Sequence, residues 1–179
     1  KVLAVLSNPA INHDRRHKLP QQRLGQIACK FIESYTNEPA VSHKVNNTIE
    51  VLYLFSGEKR KAGLPRELVD HHLGAGYSIN VIEYDITNGP EQDLSVDSIW
   101  EEVISKIKAG VFDVLVVSPP CSTFSRALFR PRGGPRPLRS STHFWGFPWV
   151  MGRRRAKIRM ANKLIQRALL ACAAASDSN

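Results

Sequence analysis

Asp113-Val114-Leu115-Val116-Val117 runs directly into Ser118-Pro119-Pro120-Cys121. A short, almost wholly apolar run of this kind reads as a strand buried on both faces, the habit of parallel sheets. The two prolines end it, because each fixes φ and removes an N–H donor, so Cys121 is presented at the strand exit. Upstream, Ile99, Trp100, Val103, Ile104 and Ile107 mark one helix face, with Asp97 or Ser98 as the expected N-cap and Gly110 as the stop. Ser78–Tyr84 reads as a second strand that closes on Glu83 and Asp85. Residues 64–73 read as a helix ended by Gly74 and Gly76, and Ile49–Phe55 as a strand running into Ser56-Gly57. Strand, helix, strand, helix, strand at this spacing predicts an α/β fold with a doubly wound, mainly parallel sheet. Ser56-Gly57, Glu83 with Asp85, and Ser118–Cys121 then share the edge where such folds bind ligands.

Further out, the pattern changes. Lys1–Leu6 is a short apolar run that reads as a strand, stopped by Asn8-Pro9. Leu24, Ile27, Ala28, Phe31, Ile32 and Tyr35 give a helix face over 21–35, followed by a polar linker over 36–48. Arg126–Gly152 carries four prolines, four glycines and five arginines, so a long loop is expected. From Arg153 to about Ala175 the chain reads as a helix opening on Arg153-Arg154-Arg155. The expected organisation is an extension and linker (1–48), a core (49–125), a basic loop (126–152) and a basic helix and tail (153–179).

With 42% hydrophobic and 23% charged residues, the composition argues against disorder, collagen or a disulfide scaffold. No apolar run approaches the roughly 18 residues of a membrane span. Cys29, Cys121 and Cys172 are odd in number and widely spaced, which fits a reducing intracellular compartment, nuclear or cytoplasmic, and no metal knuckle. A start on Lys1 with no leader is expected of a fragment or processed chain. Residues 1–113 hold 13 Lys+Arg against 15 Asp+Glu, whereas residues 114–179 hold 12 against Asp177 alone. A basic block of that kind faces phosphate, an acidic surface or simply solvent. Trp145 and Trp149, near Arg153–Arg155, are suited to stacking on bases or to anchoring the loop. Trp100 reads as core, Cys172 as a packed small residue, and His71-His72 as a helix-end pair without metal partners.

Cys121, held rigidly by the prolines beside Arg126 and the basic loop, is placed to react as a thiolate or to pack as an inert side chain. The motif Ser118-Pro119-Pro120-Cys121-x-x-Phe124-Ser125-Arg126 resembles the catalytic motif of the S-adenosylmethionine-dependent cytosine-5 methyltransferases. Serine before the prolines looks most like the branch that includes the tRNA-aspartate enzymes. Gly133-Gly134-Pro135-Arg136-Pro137-Leu138-Arg139 looks like a divergent viral or mobile-element branch. Leu54-Phe55-Ser56-Gly57 resembles the family's cofactor motif at the first strand end. Glu83 matches the acid that holds the cofactor ribose, with Asp85 competing for that role, and Asp93 matches the position that contacts the adenine amino group.

The resemblance spans about residues 49–126 and implies a Rossmann-like sheet of the class I methyltransferase type, incomplete in its C-terminal half. It implies S-adenosylmethionine as cofactor, with Phe55, Ser56, Gly57, Glu83, Asp85, Asp93 and Pro119 at its site. Cys121 would be the nucleophile, adding to cytosine C6 so that C5 can take the methyl group. The partner implied is nucleic acid, DNA more than RNA. Ser125, Arg126, Arg130, Arg132, Arg136 and Arg139, with Arg153 and Arg155 of the basic helix, would contact it, because the target base must leave its helix to be reached.

Three features depart from the family. Glu58-Lys59-Arg60 stands where the family has a glycine pair, and Asp177 is the only acid after Cys121, so the glutamate that serves cytosine N3 has no counterpart there. Val2–Pro9 resembles the missing strand in a permuted order, with Ser7 in place of that glutamate. A catalytically inactive nucleic-acid-binding relative is the alternative reading.

Overall fold

Consecutive apolar residues give the central strands, Leu52–Leu54 and Val114–Val117 among them, two buried faces, and the sheet covers both. The computed structural model describes residues 4–6, 48–61, 63–71, 77–129 and 134–177. Strands β1 (Ala4–Leu6), β2 (Thr48–Leu54), β3 (Ser78–Tyr84) and β4 (Val114–Val117) form one sheet in the order β1-β4-β2-β3. Every pairing is parallel. Helices are α1 (Leu64–His71), α2 (Asp97–Lys108) and α3 (Gly152–Asp177). The helix expected over 21–35, with Cys29, lies outside the described residues, as do His72, Gly74 and Gly76.

Leu52, Leu54, Leu115 and Val117 point to one face, where they meet α2 and α3. Val51, Tyr53, Val114 and Val116 point to the other, against Leu64 and Leu68 of α1. Both faces are therefore covered by helices, as the apolar character of β4 requires. Leu52, Leu54 and Leu115 are essentially inaccessible, and burying each contributes about 1.5–3 kcal/mol. Ala168, Ala171, Ala174 and Ala175 are the buried stripe at the end of α3, small enough to let it approach Trp100, Val103 and Ile107 of α2. The basic helix is thus part of the same core as residues 49–125. Trp100 and half-buried Cys172 pack there as expected, and burial pushes the Cys172 thiol up.

The ends of α2 divide between expectation and correction. Gly110 sits at φ +67°, with Gly110 N–H bonded to Ile107 O and Val111 N–H to Lys106 O. This is a Schellman stop, and it needs a residue free to adopt a positive φ. At the other end neither Asp97 nor Ser98 caps the helix. Val96 occupies the N-cap position without a side-chain bond, because Asp97 turns to α3 and pairs with Lys163 (2.7 Å) and Arg167. Arg167, only 7% exposed, also donates to Leu94 O and Val96 O and lies 5.3 Å from the Trp100 ring centre. One buried guanidinium thereby ties the long helix to the start of α2.

Candidate functional site

The chain leaves β2, crosses through α1 to β3 on one side, and returns in β4 on the other. The exits of β2 and β4 therefore diverge, and a crevice opens between them, where open parallel sheets bind ligands. Leu54 pairs with Val117, so Phe55 and Ser118 leave the sheet side by side. Tyr53 Oη lies 3.2 Å from Ser118 Oγ and joins the two exits from below, while burial pushes its phenol up.

The turn after β2 is built by strain and by clamping. Strand β2 ends at Leu54, one residue before the expected end, because Phe55 adopts φ +59°, unusual for a side chain of this size. Its ring is buried in the core and its N–H reaches Tyr84 O (2.7 Å), which holds it there. Gly57 follows at φ +78°. Its N–H donates to Asp85 Oδ2 (3.0 Å) and its carbonyl accepts from Asn88 Nδ2 (3.1 Å). The second Asp85 oxygen accepts from Thr87 N–H (2.9 Å) and Thr87 Oγ1 (2.7 Å). Asp85 thus positions the turns after β2 and β3, and the Asp-x-Thr spacing is the sequence signal for such a cap.

A cavity of about 420 Å3 lies over this edge. Phe55, Gly57, Asp85, Asp93, Ser118 and Pro120 line it, with Leu164 of α3 as an apolar wall. Gln92 lines it too, and its Oε1 is buried without a hydrogen-bond partner. A buried acceptor left unsatisfied costs free energy, so this atom is a place for a ligand's donor. Neighbouring Asp93 uses one oxygen to accept from Ser95 N–H (2.8 Å). Sequence reasoning missed Gln92 and Asn88, whose roles come only from how the turn after β3 folds back over the sheet edge.

Glu83 and Asp85 do not share this space. Strand alternation puts Glu83 on the α1 side, in a smaller cavity of about 220 Å3 with Tyr53, Ser56, Lys59 and Arg60. Ser56 lines that cavity as well, and Gly57 borders both. Pro119 lines neither of these two, whereas Pro120 faces the larger. Cys121 follows, half-buried, with its carbonyl accepting from Phe124 N–H (2.8 Å).

The expected nucleic-acid contacts separate into different environments. Arg139 is corrected outright, since it is 5% exposed and its five N–H donors are all engaged inside the protein. Nε and Nη2 donate to Thr123 Oγ1 (3.1 and 2.9 Å), Nη1 to Phe144 O (2.9 Å) and Asn162 Oδ1 (2.7 Å), and Nη2 also to Ile158 O (3.3 Å). The guanidinium lies 3.8 Å from the Phe124 ring centre. Burial lowers its pKa, yet an arginine remains charged at neutral pH. Arg139 therefore staples the turn after Cys121 and the loop before α3 to α3 itself. Arg136, Arg153 and Arg155 are exposed, Arg155 reaching Pro148 O (3.2 Å). Ser125 is half-buried and accepts through its carbonyl from Leu128 N–H (3.2 Å), and Arg126 opens the short helical turn that follows. Arg130 and Arg132 lie outside the described residues.

Among the described residues, no group of three or more His, Cys, Asp or Glu is arranged to hold a metal ion, and no helix is long and apolar enough to cross a membrane. Comparison with protein-family models, curated proteins and solved structures finds nothing that matches this chain.

Proposed function

We propose that this chain is a methyltransferase-like domain with a Rossmann-like sheet, using S-adenosylmethionine to methylate cytosine C5 in nucleic acid, DNA more than RNA. The observation that carries the reading is the pairing of Leu54 with Val117, which sets the Phe55-Ser56-Gly57 turn beside Ser118-Pro119-Pro120-Cys121 at the sheet's switch point. The two motifs that resemble the family's cofactor and nucleophile motifs are thus neighbours in space although 63 positions separate Phe55 from Ser118.

The residues present fit the cofactor at one end. The unpartnered Gln92 Oε1 and the carboxylate of Asp93 would accept from the adenine amino group and Phe55 and Leu164 would bound the ring, whereas Glu83, the expected ribose partner, lines the separate smaller cavity. Glu58, Lys59 and Arg60, all exposed, replace the small residues expected near the methionine end. When bound, the cofactor supplies an electrophilic methyl group on its sulfonium. Cys121 as a thiolate would form a bond to C6, which makes C5 nucleophilic, and once C5 carries the methyl group its proton would pass to water while the C6–S electron pair returns to sulfur, restoring the thiolate. The β1 strand, beside β4 at the sheet edge, occupies the place that a permuted partner strand would take.

Calorimetry with S-adenosylmethionine or its demethylated product tests the pocket. Binding is expected and should weaken in Asp93→Ala and Gln92→Ala; no binding at millimolar ligand overturns the assignment. A 5-fluorocytosine oligonucleotide tests the nucleophile, because methylation then leaves no proton to eliminate and the C6–S bond persists. Such an adduct should map to Cys121 and vanish in Cys121→Ser. The inactive binding relative is favoured by one observation, the exposed Glu58, Lys59 and Arg60 that stand in place of the small residues at the methionine end. Cofactor binding with no adduct would select that second reading.

A further inference from the structure

The loop between Cys121 and α3 presents aromatic surface that the core does not use. Trp149 is 64% exposed and stacks on Phe147 with ring centres 4.7 Å apart and planes 14° from parallel. His143 lies 5.5 Å from Phe147 and 5.3 Å from Trp149. Being equidistant, it stands beside the pair, so neither ring covers the outer face of Trp149. Phe129, Trp149 and Met151, all largely exposed, line an open groove of about 600 Å3 with Arg136 and Arg154. Arg153 and Arg155 flank Arg154 at the start of α3. No acid occurs between residues 114 and 176, so the surroundings carry positive charge without compensation along the chain.

The platform is held before any ligand arrives. Phe147 N–H bonds to Leu138 O (3.0 Å) and Val150 N–H to Phe147 O (3.2 Å), while Ser140 and His143 exchange backbone bonds. Buried Arg139 fixes the same loop from beneath through Phe144 O. Little ordering is left to be done on binding, which favours affinity.

We infer that Trp149, on its Phe147 support and sharing its groove with Arg136 and Arg154, is a stacking platform for unpaired bases, so that the chain binds single-stranded nucleic acid in preference to duplex. The exposed ring takes the face of a base, and the arginines take the flanking phosphates. In a duplex both faces of an interior base are already stacked, so the ring has nothing to receive. Only the phosphate attraction then remains, and it falls steeply with salt. The inference rests on the nucleic-acid part of the proposed function and is independent of the cofactor cavity.

Fluorescence anisotropy with a labelled dT12 oligonucleotide, the matching rU12, and a duplex of equal length tests it on the full 179-residue chain. Single strands of both kinds should bind at least about tenfold more tightly than duplex at 150 mM salt, with quenching of tryptophan emission. Trp149→Ala should cost about tenfold on dT12 and leave duplex binding unchanged, and Trp149→Phe should restore most of the loss. Circular dichroism checks that these exposed-site variants fold. Equal or tighter duplex binding overturns the inference, as does an unchanged Trp149→Ala or displacement of dT12 by polyglutamate as readily as by nucleic acid. Cofactor calorimetry on the same preparation reports the other reading separately, so either can fail alone.

Discussion

Two parts of the same basic stretch treat arginine in opposite ways. In the loop that precedes α3, Arg139 is enclosed, with every donor spent on Thr123, Phe144, Asn162 and Ile158. At the first turn of α3, Arg153 and Arg154 stand in solvent. Along the chain they belong to one run of positive charge. In space one is an interior clasp and the others are a surface available to phosphate. A charge block therefore reports a field, and its division into structural and binding residues depends on which carbonyls and hydroxyls fold over each guanidinium.

The largest effect should come from removing the clasp. Arg139→Ala would leave Asn162 Oδ1 and two carbonyls without their donor and strip a cation from the Phe124 ring, at about 3 kcal/mol. Urea unfolding would register it. Arg139→Lys should recover little, because an ammonium cannot reproduce the planar fork. A loss below 1 kcal/mol would erase the distinction between the two arginine environments.

The second clasp, Arg167, predicts a smaller loss and a dependence on pH. Arg167→Ala should cost about 2 kcal/mol through the orphaned Leu94 and Val96 carbonyls. Its partner Asp97 is held below the usual carboxylate range by hydrogen bonds from Lys163 and Arg167. Because the native pKa is the lower one, this contribution is complete above the unfolded value of about 4 and is lost as pH falls through the native value. Acid titration of the unfolding midpoint should show the decline, and Asp97→Asn should remove that part of it.

Close packing of the loop on α3 gives the next test. Gly146 sits at φ +109°, and a Cβ there would lie 2.6 Å from Cγ2 of buried Ile158. Gly146→Ala should lose about 1–3 kcal/mol, and a melting curve would measure it. At the other extreme, Arg153→Ala should change stability by less than about 0.5 kcal/mol while lowering the salt dependence of nucleic-acid binding. Equal stability losses at Arg139 and Arg153 would contradict the structure.

The sheet edge was more legible than the loop. The exits of β2 and β4 follow from local patterns, since apolar runs stop at Ser-Gly and at Pro-Pro wherever the chain goes next. Asp85 was legible as a polar residue at a strand end, but its commitment to the Gly57 and Thr87 peptides required the turn after β3 to close over β2. Alternation alone would keep Glu83 and Asp85 on one face, and they separate because β3 ends at Tyr84 and Asp85 caps the turn that follows. Asn88, Gln92 and Arg167 gave no signal, because each acts on an atom far away in sequence or on an empty space.

By itself the sequence determined the parallel α/β arrangement, the exits of β3 and β4, the glycine stop of α2 and the position of Cys121 after two prolines. These depend on periodicity, φ preference and missing donors, which neighbouring residues set. Only the tertiary structure decided that β4 and β2 are adjacent, that Asp97 serves α3 instead of capping α2, and that Arg139 is inside while Arg153 is outside. Those outcomes depend on desolvation and on hydrogen-bond partners from distant segments, and a guanidinium goes to the interior only where enough acceptors converge to replace its water.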